Sequence, residues 1–306
     1  MIRYGAHISS NSLVSISSMI QDCVDQKCFC MQFFLGDSRN SYSRRDISLR
    51  DSKKCIQLCQ LYNFRVYTHF PYLMKLVATQ SISTLAGLQN ELNSIAPFNG
   101  RVVIHPNSSP CDCCITNRNS SKDSNRKKYT TQSESLAKVL GSNLRLLKFP
   151  THYEYPLLLE PPAGEGTKFG WSFEHFSLII QECQDLPVGF CIDTCHTFCA
   201  GLCAFDSESS VDIFFKKLEQ LQVAPRVKVI HFNDSQHEFG SLKDRHAPIG
   251  QGAIWSNPAH VGGLVGLFKW CAKYKIDIIC EVGHPDDLDF CEQLTRKVLG
   301  TNRIIY

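Results

Sequence analysis

Short β-branched or aromatic runs alternate with stretches of helical period along most of the chain. Eight runs read as strands: Ile2–Ile8, Phe29–Leu35, Phe64–His69, Arg101–His105, Pro156–Glu160, Val188–Asp193, Val227–Phe232 and Ile276–Glu281. Between them, apolar residues recur at three- and four-residue intervals, as in Leu13, Ile16 and Ile20; Phe173, Phe176, Ile180 and Cys183; Val211, Phe214, Phe215, Leu218 and Leu221; and Leu288, Cys291, Leu294 and Val298. That period predicts amphipathic helices. Pro156-Leu-Leu-Leu159 and Arg101-Val-Val-Ile104 hardly alternate at all, the pattern of parallel strands covered on both faces. Eight such units, with no glycine-rich nucleotide fingerprint after any strand, predict an α/β fold of the closed (β/α)8 TIM barrel type over residues 1–306 as one domain.

The spacing breaks once. From His105 to Glu160 is 55 residues, against 36 from His69 to His105, and residues 107–131 show neither period. Arg118, Lys122, Arg126, Lys127 and Lys128 there outnumber Asp112 and Asp123, so an inserted polar, basic loop is expected at 107–131, placed to touch phosphates if the partner is a polyanion. Composition adds bounds. Of 306 residues 43% are hydrophobic and 20% charged, which excludes disorder as the main state. No uncharged apolar run approaches the roughly 18–20 residues that span a bilayer, and Met1–His7 has no apolar signal core. A soluble, intracellular monomer with no membrane partner is expected. Its 16 cysteines therefore read as reduced and mostly buried, and Cys111, Cys113 and Cys114 as an incidental cluster. A net charge of +3 is too weak to mark a nucleic-acid binder by itself.

The chemistry lies in what closes each strand. His69, His105, Glu160, Asp193, His231 and Glu281 end runs three to eight, and His196, Asp244 and His246 follow within a loop. In a (β/α)8 barrel those positions meet at one mouth. Nine imidazoles and carboxylates cannot share a desolvated pocket unless cations neutralise them. Nitrogen and oxygen donors without Cys suit Zn2+, with Mn2+ or Fe2+ left open, and nine donors exceed one tetrahedral site. His7 reads equally as a supporting partner or a core residue; His152, His175, His237, His260 and His284 read as surface or packing residues.

Gly5-Ala-His-Ile-Ser9, His105-Pro106, Leu159-Glu-x-x-Ala-Gly164, Cys191-Ile-Asp-Thr-Cys-His196, His231-Phe-Asn-Asp-Ser235, Gly240-Ser241 and Asp244-Arg-His246 together resemble the endonuclease IV family of apurinic/apyrimidinic DNA endonucleases. The resemblance implies a DNA repair enzyme with three zinc ions per chain. It would cut double-stranded DNA 5′ to abasic sites without Mg2+, leaving a 3′-hydroxyl and a 5′-deoxyribose phosphate. By the same resemblance His69 and His105 would bind one ion, and Glu160 would bridge it to a second held by Asp193, His231 and Glu281. His196, Asp244 and His246 would bind the third, and Glu281 would orient or deprotonate the attacking water. Arg39, Tyr72 and Leu73 match the family's DNA-inserted residues. The 107–131 insertion, Pro161-Pro162 and Glu281-Val-Gly-His284 depart from the family pattern. Two rivals stand beside this reading. A sugar isomerase or epimerase also gathers Glu, Asp and His around one or two metals, but has no use for the third set. A lesion-binding module without catalysis needs no open metal positions.

Overall fold

The computed structural model describes residues 2–9, 14–39, 45–78, 82–106 and 123–282, without the side chains of 123–131. Residues 107–122, with Cys111, Cys113 and Cys114, lie outside the described residues, as do His284 and the helical pattern expected from Leu288 to Val298. Eight parallel strands close into a barrel: β1 (Tyr4–His7), β2 (Cys30–Phe33), β3 (Arg65–His69), β4 (Arg101–Ile104), β5 (Leu157–Leu159), β6 (Val188–Asp193), β7 (Val227–Phe232) and β10 (Asp277–Cys280), the last pairing with both β7 and β1. The TIM-barrel expectation holds. A two-stranded antiparallel ribbon, β8 (Asp234–Ser235) and β9 (His246–Ala247), sits on the segment between β7 and β10.

Helices α1 (Ile16–Asp25), α2 (Leu49–Leu61), α3 (Ile82–Ile95), α4 (Asp123–Leu144), α5 (Phe173–Cys183), α6 (Thr194–Cys199), α7 (Glu208–Gln220) and α8 (Val261–Tyr274) connect the strands. Four begin at a serine, Ser15, Ser48, Ser172 or Ser207, whose side chain accepts a first-turn backbone N–H. Such caps satisfy donors that the helix itself leaves unpaired. Helix α4 corrects one expectation: residues 123–131, read as part of a structureless loop, are its first turns. The apolar anchor lies further on, where Leu136, Ala137, Leu140 and Leu144 are buried. Once that half is docked, each residue added upstream gains a backbone bond without a new nucleus, so the helix outruns its own apolar pattern.

Residues two apart on a strand share a face, and the inward positions stack in three layers. The middle layer is apolar: Cys30, Tyr67, Val103, Leu158, Cys191, Val229 and Ile279, with Tyr155 against it. On β1 the corresponding residue is Gly5, where a Cβ would lie 1.7 Å from the Cys30 carbonyl oxygen, so no side chain fits. Two residues further along each strand lie His7, Gln32, His69, His105, Glu160, Asp193, His231 and Glu281. Around the barrel, the apolar outer faces pack on the helices in one large core that includes Phe33, Phe176, Phe190, Phe214 and Phe268. Twelve cysteines in the described residues are free thiols, and eleven of them are buried. No described helix is long and apolar enough to cross a membrane.

Candidate metal centre

The structure brings all nine donors, six at strand ends and three beyond them, to one mouth. Glu160, 1% exposed, is at the centre: its Oε2 lies 2.9 Å from His69 Nε2 and 3.4 Å from His105 Nε2, and its Oε1 lies 2.9 Å from His231 Nδ1. Glu160, Asp193, His231 and Glu281 offer ligand atoms within 4.8 Å of one another, and so do Asp193, His196 and His246. Asp244 completes the second corner, 3.2 Å from His196 Nε2 and 3.3 Å from His246 Nε2.

Local structure explains how each donor arrives. Asp193 caps α6 by accepting the His196 N–H at 2.8 Å, which fixes the three-residue step between these two donors. His246 is carried back by the β8–β9 ribbon. The ribbon is braced by Asp234, whose carboxylate accepts five backbone N–H groups, from Ser235, Gly250, Gly252, Ile254 and Trp255. At Gly252 a Cβ would fall 2.4 Å from the Ser235 carbonyl oxygen, so glycine is required for this close approach.

The orientation of the imidazoles bears on what they can hold. His69 Nδ1 donates to the Phe70 carbonyl at 2.8 Å, His105 Nδ1 to the Glu160 carbonyl at 3.1 Å, and His196 Nδ1 to the Pro161 carbonyl at 3.0 Å. A carbonyl only accepts, so Nδ1 of each ring carries a proton, and Nε2 is the nitrogen turned toward the carboxylates and left to meet a cation. His231 is reversed. Gln32 donates through Nε2 to Glu281 at 2.9 Å, which turns its Oε1 toward His231 Nε2 at 2.8 Å to accept its proton and leaves Nδ1 as the nitrogen facing Glu160. Metal-bound imidazoles are held in this way by partners on their far nitrogen. His196 Nε2 and His246 Nε2 are 3.3 Å apart, a close approach that a shared cation relieves.

Electrostatics point the same way. Burial alone would raise the Glu160 carboxyl, but the flanking His105 and His231 hold it well below its usual value. Burial lowers His69, His196, His231 and His246, yet the carboxylates around them, preceded at His231 by Cys191, prevail and raise all four, His246 to about 9. His105 falls to about 4 and Asp193 rises, both chiefly through burial. The carboxylates therefore draw positive charge onto the imidazoles. Divalent cations meet the same demand and leave the imidazoles neutral, as ligands must be.

Above the donors opens a cavity of about 470 Å³ whose walls include Phe34, Tyr72, Leu73 and Lys168. Tyr72 and Leu73 are 44% and 58% exposed, and the Tyr72 N–H reaches the Ser38 carbonyl at 3.3 Å, linking the loops after β3 and β2. Arg39, on the latter loop, is exposed beside Asp37 and does not line the cavity.

A family model described as the xylose isomerase-like TIM barrel matches residues 20–261. The probable endonuclease 4 of Chloroflexus aurantiacus is 31% identical over 265 residues, covering 83% of this chain and 84% of its own. This chain belongs to the endonuclease IV family. A second such relative, the probable endonuclease 4 of Malacoplasma penetrans, is 25% identical over 94% of this chain and 93% of its own. Among solved structures, endonuclease IV from Thermus thermophilus superposes with a TM-score of 0.74 at 22% identity, covering 97% of this chain and 99% of that one. A D-tagatose 3-epimerase-like protein superposes with a TM-score of 0.65 at 13% identity, covering 98% and 99%, a likeness of fold alone.

In this endonuclease IV-family chain, four participants escaped the sequence reading. Gln32 and Asn233 are neutral amides with no metal-ligand signature; Asn233 donates to Asp193 at 2.6 Å and to Glu281 at 3.0 Å. Their signal was positional, two residues beyond Cys30 on β2 and beyond His231 at the end of β7. Lys168, ion-paired with Glu165, brings an ammonium into the cavity. Cys195 offers its sulfur beside Asp244 and His246, although its neighbour Cys199 and burial keep the thiol protonated. His7 joins the site, its Nδ1 3.0 Å from Gln32 Nε2, while His175 is a buried packing residue.

Proposed function

We propose that this protein is a DNA repair endonuclease that hydrolyses the phosphodiester on the 5′ side of abasic sites through a three-zinc centre, leaving a 3′-hydroxyl and a 5′-deoxyribose phosphate. The reading rests on one observation: four imidazoles commit their far nitrogens to three carbonyls and an amide and turn their other nitrogens toward a cluster of carboxylates. His69 and His105 would hold one ion, Glu160, Asp193, His231 and Glu281 a second, and His196, Asp244 and His246 a third, with Glu160 bridging the first two. Bound zinc supplies Lewis acidity, neutralising the phosphate and easing departure of the alkoxide.

The chain's own groups do the rest. Glu281 is fixed by Gln32 and Asn233, and although burial would raise it, His231 and other imidazoles lower it to about 2. It is therefore ionised at neutral pH, and it orients the attacking water by accepting its hydrogen bond. Lys168 places an ammonium where a phosphate would enter. Tyr72 and Leu73 would fill the gap that an extruded abasic nucleotide leaves in the duplex, with Arg39 gripping the neighbouring backbone.

A sugar isomerase or epimerase would use the same barrel. It would have no role for His196, Asp244 and His246, which the fold gathers at considerable electrostatic cost. The deciding experiment pairs metal analysis of the purified protein with cleavage of a duplex carrying one abasic analogue, without added Mg2+, and with ketose isomerisation as a parallel arm. About three zinc ions and a single 5′ incision are expected. One metal per chain with no incision would overturn the assignment.

A further inference from the structure

The inward layer at the opposite end of the barrel is also charged, and nothing in the proposed reaction uses it. Two residues before the apolar middle layer stand Arg3 on the approach to β1, Arg65 on β3, Arg101 on β4 and Asp277 on β10. A register shift between β6 and β7 leaves Lys228 unpaired between Val227 and Val229 and brings its ammonium 4.7 Å over the Tyr155 ring. Of these four cations Arg3 alone is ion-paired with Asp277, whose Oδ1 takes it at 3.0 Å while Oδ2 takes the Tyr67 hydroxyl at 2.7 Å; Lys228 donates to the Pro225 carbonyl at 2.9 Å and feels the exposed Glu154.

Arg65 and Arg101 are left with little. Arg65 reaches the Asn99 carbonyl at 3.5 Å and Arg101 the Glu154 carbonyl at 3.4 Å, both long for a guanidinium bond. The Nε of each is buried with no acceptor, and Arg101 as a whole is 8% exposed. Burial and then Arg101 lower Arg65, and the same two influences lead in lowering Lys228, so these cations lie within range of one another. Buried donors left unmade are expensive, and a buried guanidinium more so.

We propose that the N-terminal mouth of the barrel is a binding site for a free phosphate-type oxyanion, held by Arg65, Arg101 and Lys228. A tetrahedral dianion accepts from several planar N–H forks at once, which matches two guanidinium groups and an ammonium. The depth of Arg101 argues for a free or terminal phosphate, because an internal phosphodiester of a duplex stays at the surface. Lys228 covers the Tyr155 ring and Tyr67 is fully buried, so neither ring offers an open platform for a base, which favours the free anion as occupant. The site is independent of the metal centre and of the reaction proposed for it.

The test is calorimetric titration of the metal-loaded protein with inorganic phosphate, and in a parallel arm with ADP, comparing wild type with Arg65→Gln/Arg101→Gln and with Lys228→Gln. The lysine variant alters a half-buried side chain and keeps the test usable if the double variant folds poorly. One class of phosphate site should weaken at least tenfold in both variants, while zinc content and incision of abasic duplex stay unchanged. ADP should bind this class no more tightly than phosphate. Identical phosphate titrations in wild type and Lys228→Gln would overturn the proposal, and ADP binding more tightly than phosphate would overturn the assignment to a free anion.

Discussion

Gln32 is fully buried among charged groups yet has no charge of its own. One amide sets the tautomer of His231 through Oε1 and steadies Glu281 through Nε2. Gln32→Leu keeps the bulk but frees both, so zinc affinity should fall about 10- to 100-fold, the usual cost of losing a partner behind a metal ligand. Competition with a chromophoric chelator measures this, and an unchanged affinity would mean that His231 is held by packing alone. Lys168 makes a different kind of contribution. It is half-buried at the cavity wall, and among the described lining residues it is the one Lys or Arg. Lys168→Ala should raise KM for abasic duplex and flatten the logarithmic salt dependence of DNA binding by about one unit, as expected for one lost phosphate contact. Lys168→Arg should restore the slope; a slope indifferent to both changes would remove Lys168 from the DNA interface.

At the scale of elements, the loop after β3 stands out because it exposes what a fold would rather hide. Tyr72 and Leu73 are large, exposed and carried just beyond His69, with Tyr72 packed edge-on to Phe34 at 6.4 Å. An abasic nucleotide lacks the stacking that holds an ordinary base, so its extrusion costs less, and an apolar wedge converts that difference into selectivity. Tyr72→Ala with Leu73→Ala should keep zinc content but reduce abasic incision at least about tenfold, or about 1.4 kcal/mol of transition-state stabilisation. Full activity with undiminished preference for abasic DNA would assign the pair to packing. The β8–β9 ribbon works in the opposite sense, holding rather than exposing: Asp234 ties five backbone amides so that Asp244 and His246 return to the mouth. Neither element is visible as a period in the sequence, since one is a loop and the other has strands of two residues.

The whole molecule is a barrel with an apolar middle and charged ends. Four carboxylates and six imidazoles are crowded into its C-terminal mouth, so the fold pays for the site in stability unless cations are bound. Ions that bind the folded chain and not the unfolded one stabilise it by about 4 kcal/mol at a thousandfold excess over Kd. For a chain of this size each kcal/mol moves Tm by roughly 2–4 °C. Stripping the metal with a chelator should therefore lower Tm by at least about 5 °C, reversibly on adding zinc back, as followed by calorimetry. A melt insensitive to chelation would show that the mouth is neutralised by protons rather than by metal.

By itself the sequence determined the barrel and the donors. Parallel strands buried on both faces must be apolar runs, and a barrel must repeat its unit, so eight such runs were legible with ends displaced by a residue or two. A strand's last inward residue lies at the mouth, which made His69, Asp193 and His231 readable as one set before their distances were known. Tertiary structure decided what has no local signature. The extent of α4 came from docking of its later turns, beyond the reach of its own pattern. Gln32 and Asn233 became partners of the site because closure of the barrel brings Gln32 on β2 across to His231 on β7, a contact between residues about 200 positions apart, and sets Asn233, just past β7, against Glu281. The same closure set Arg65, Arg101 and Lys228 within electrostatic range of one another at the other end, where each is unremarkable near a strand start in the sequence. Periodicity records which face of an element is buried; which polar groups meet across the barrel depends on register and closure, and these exist only in the assembled fold.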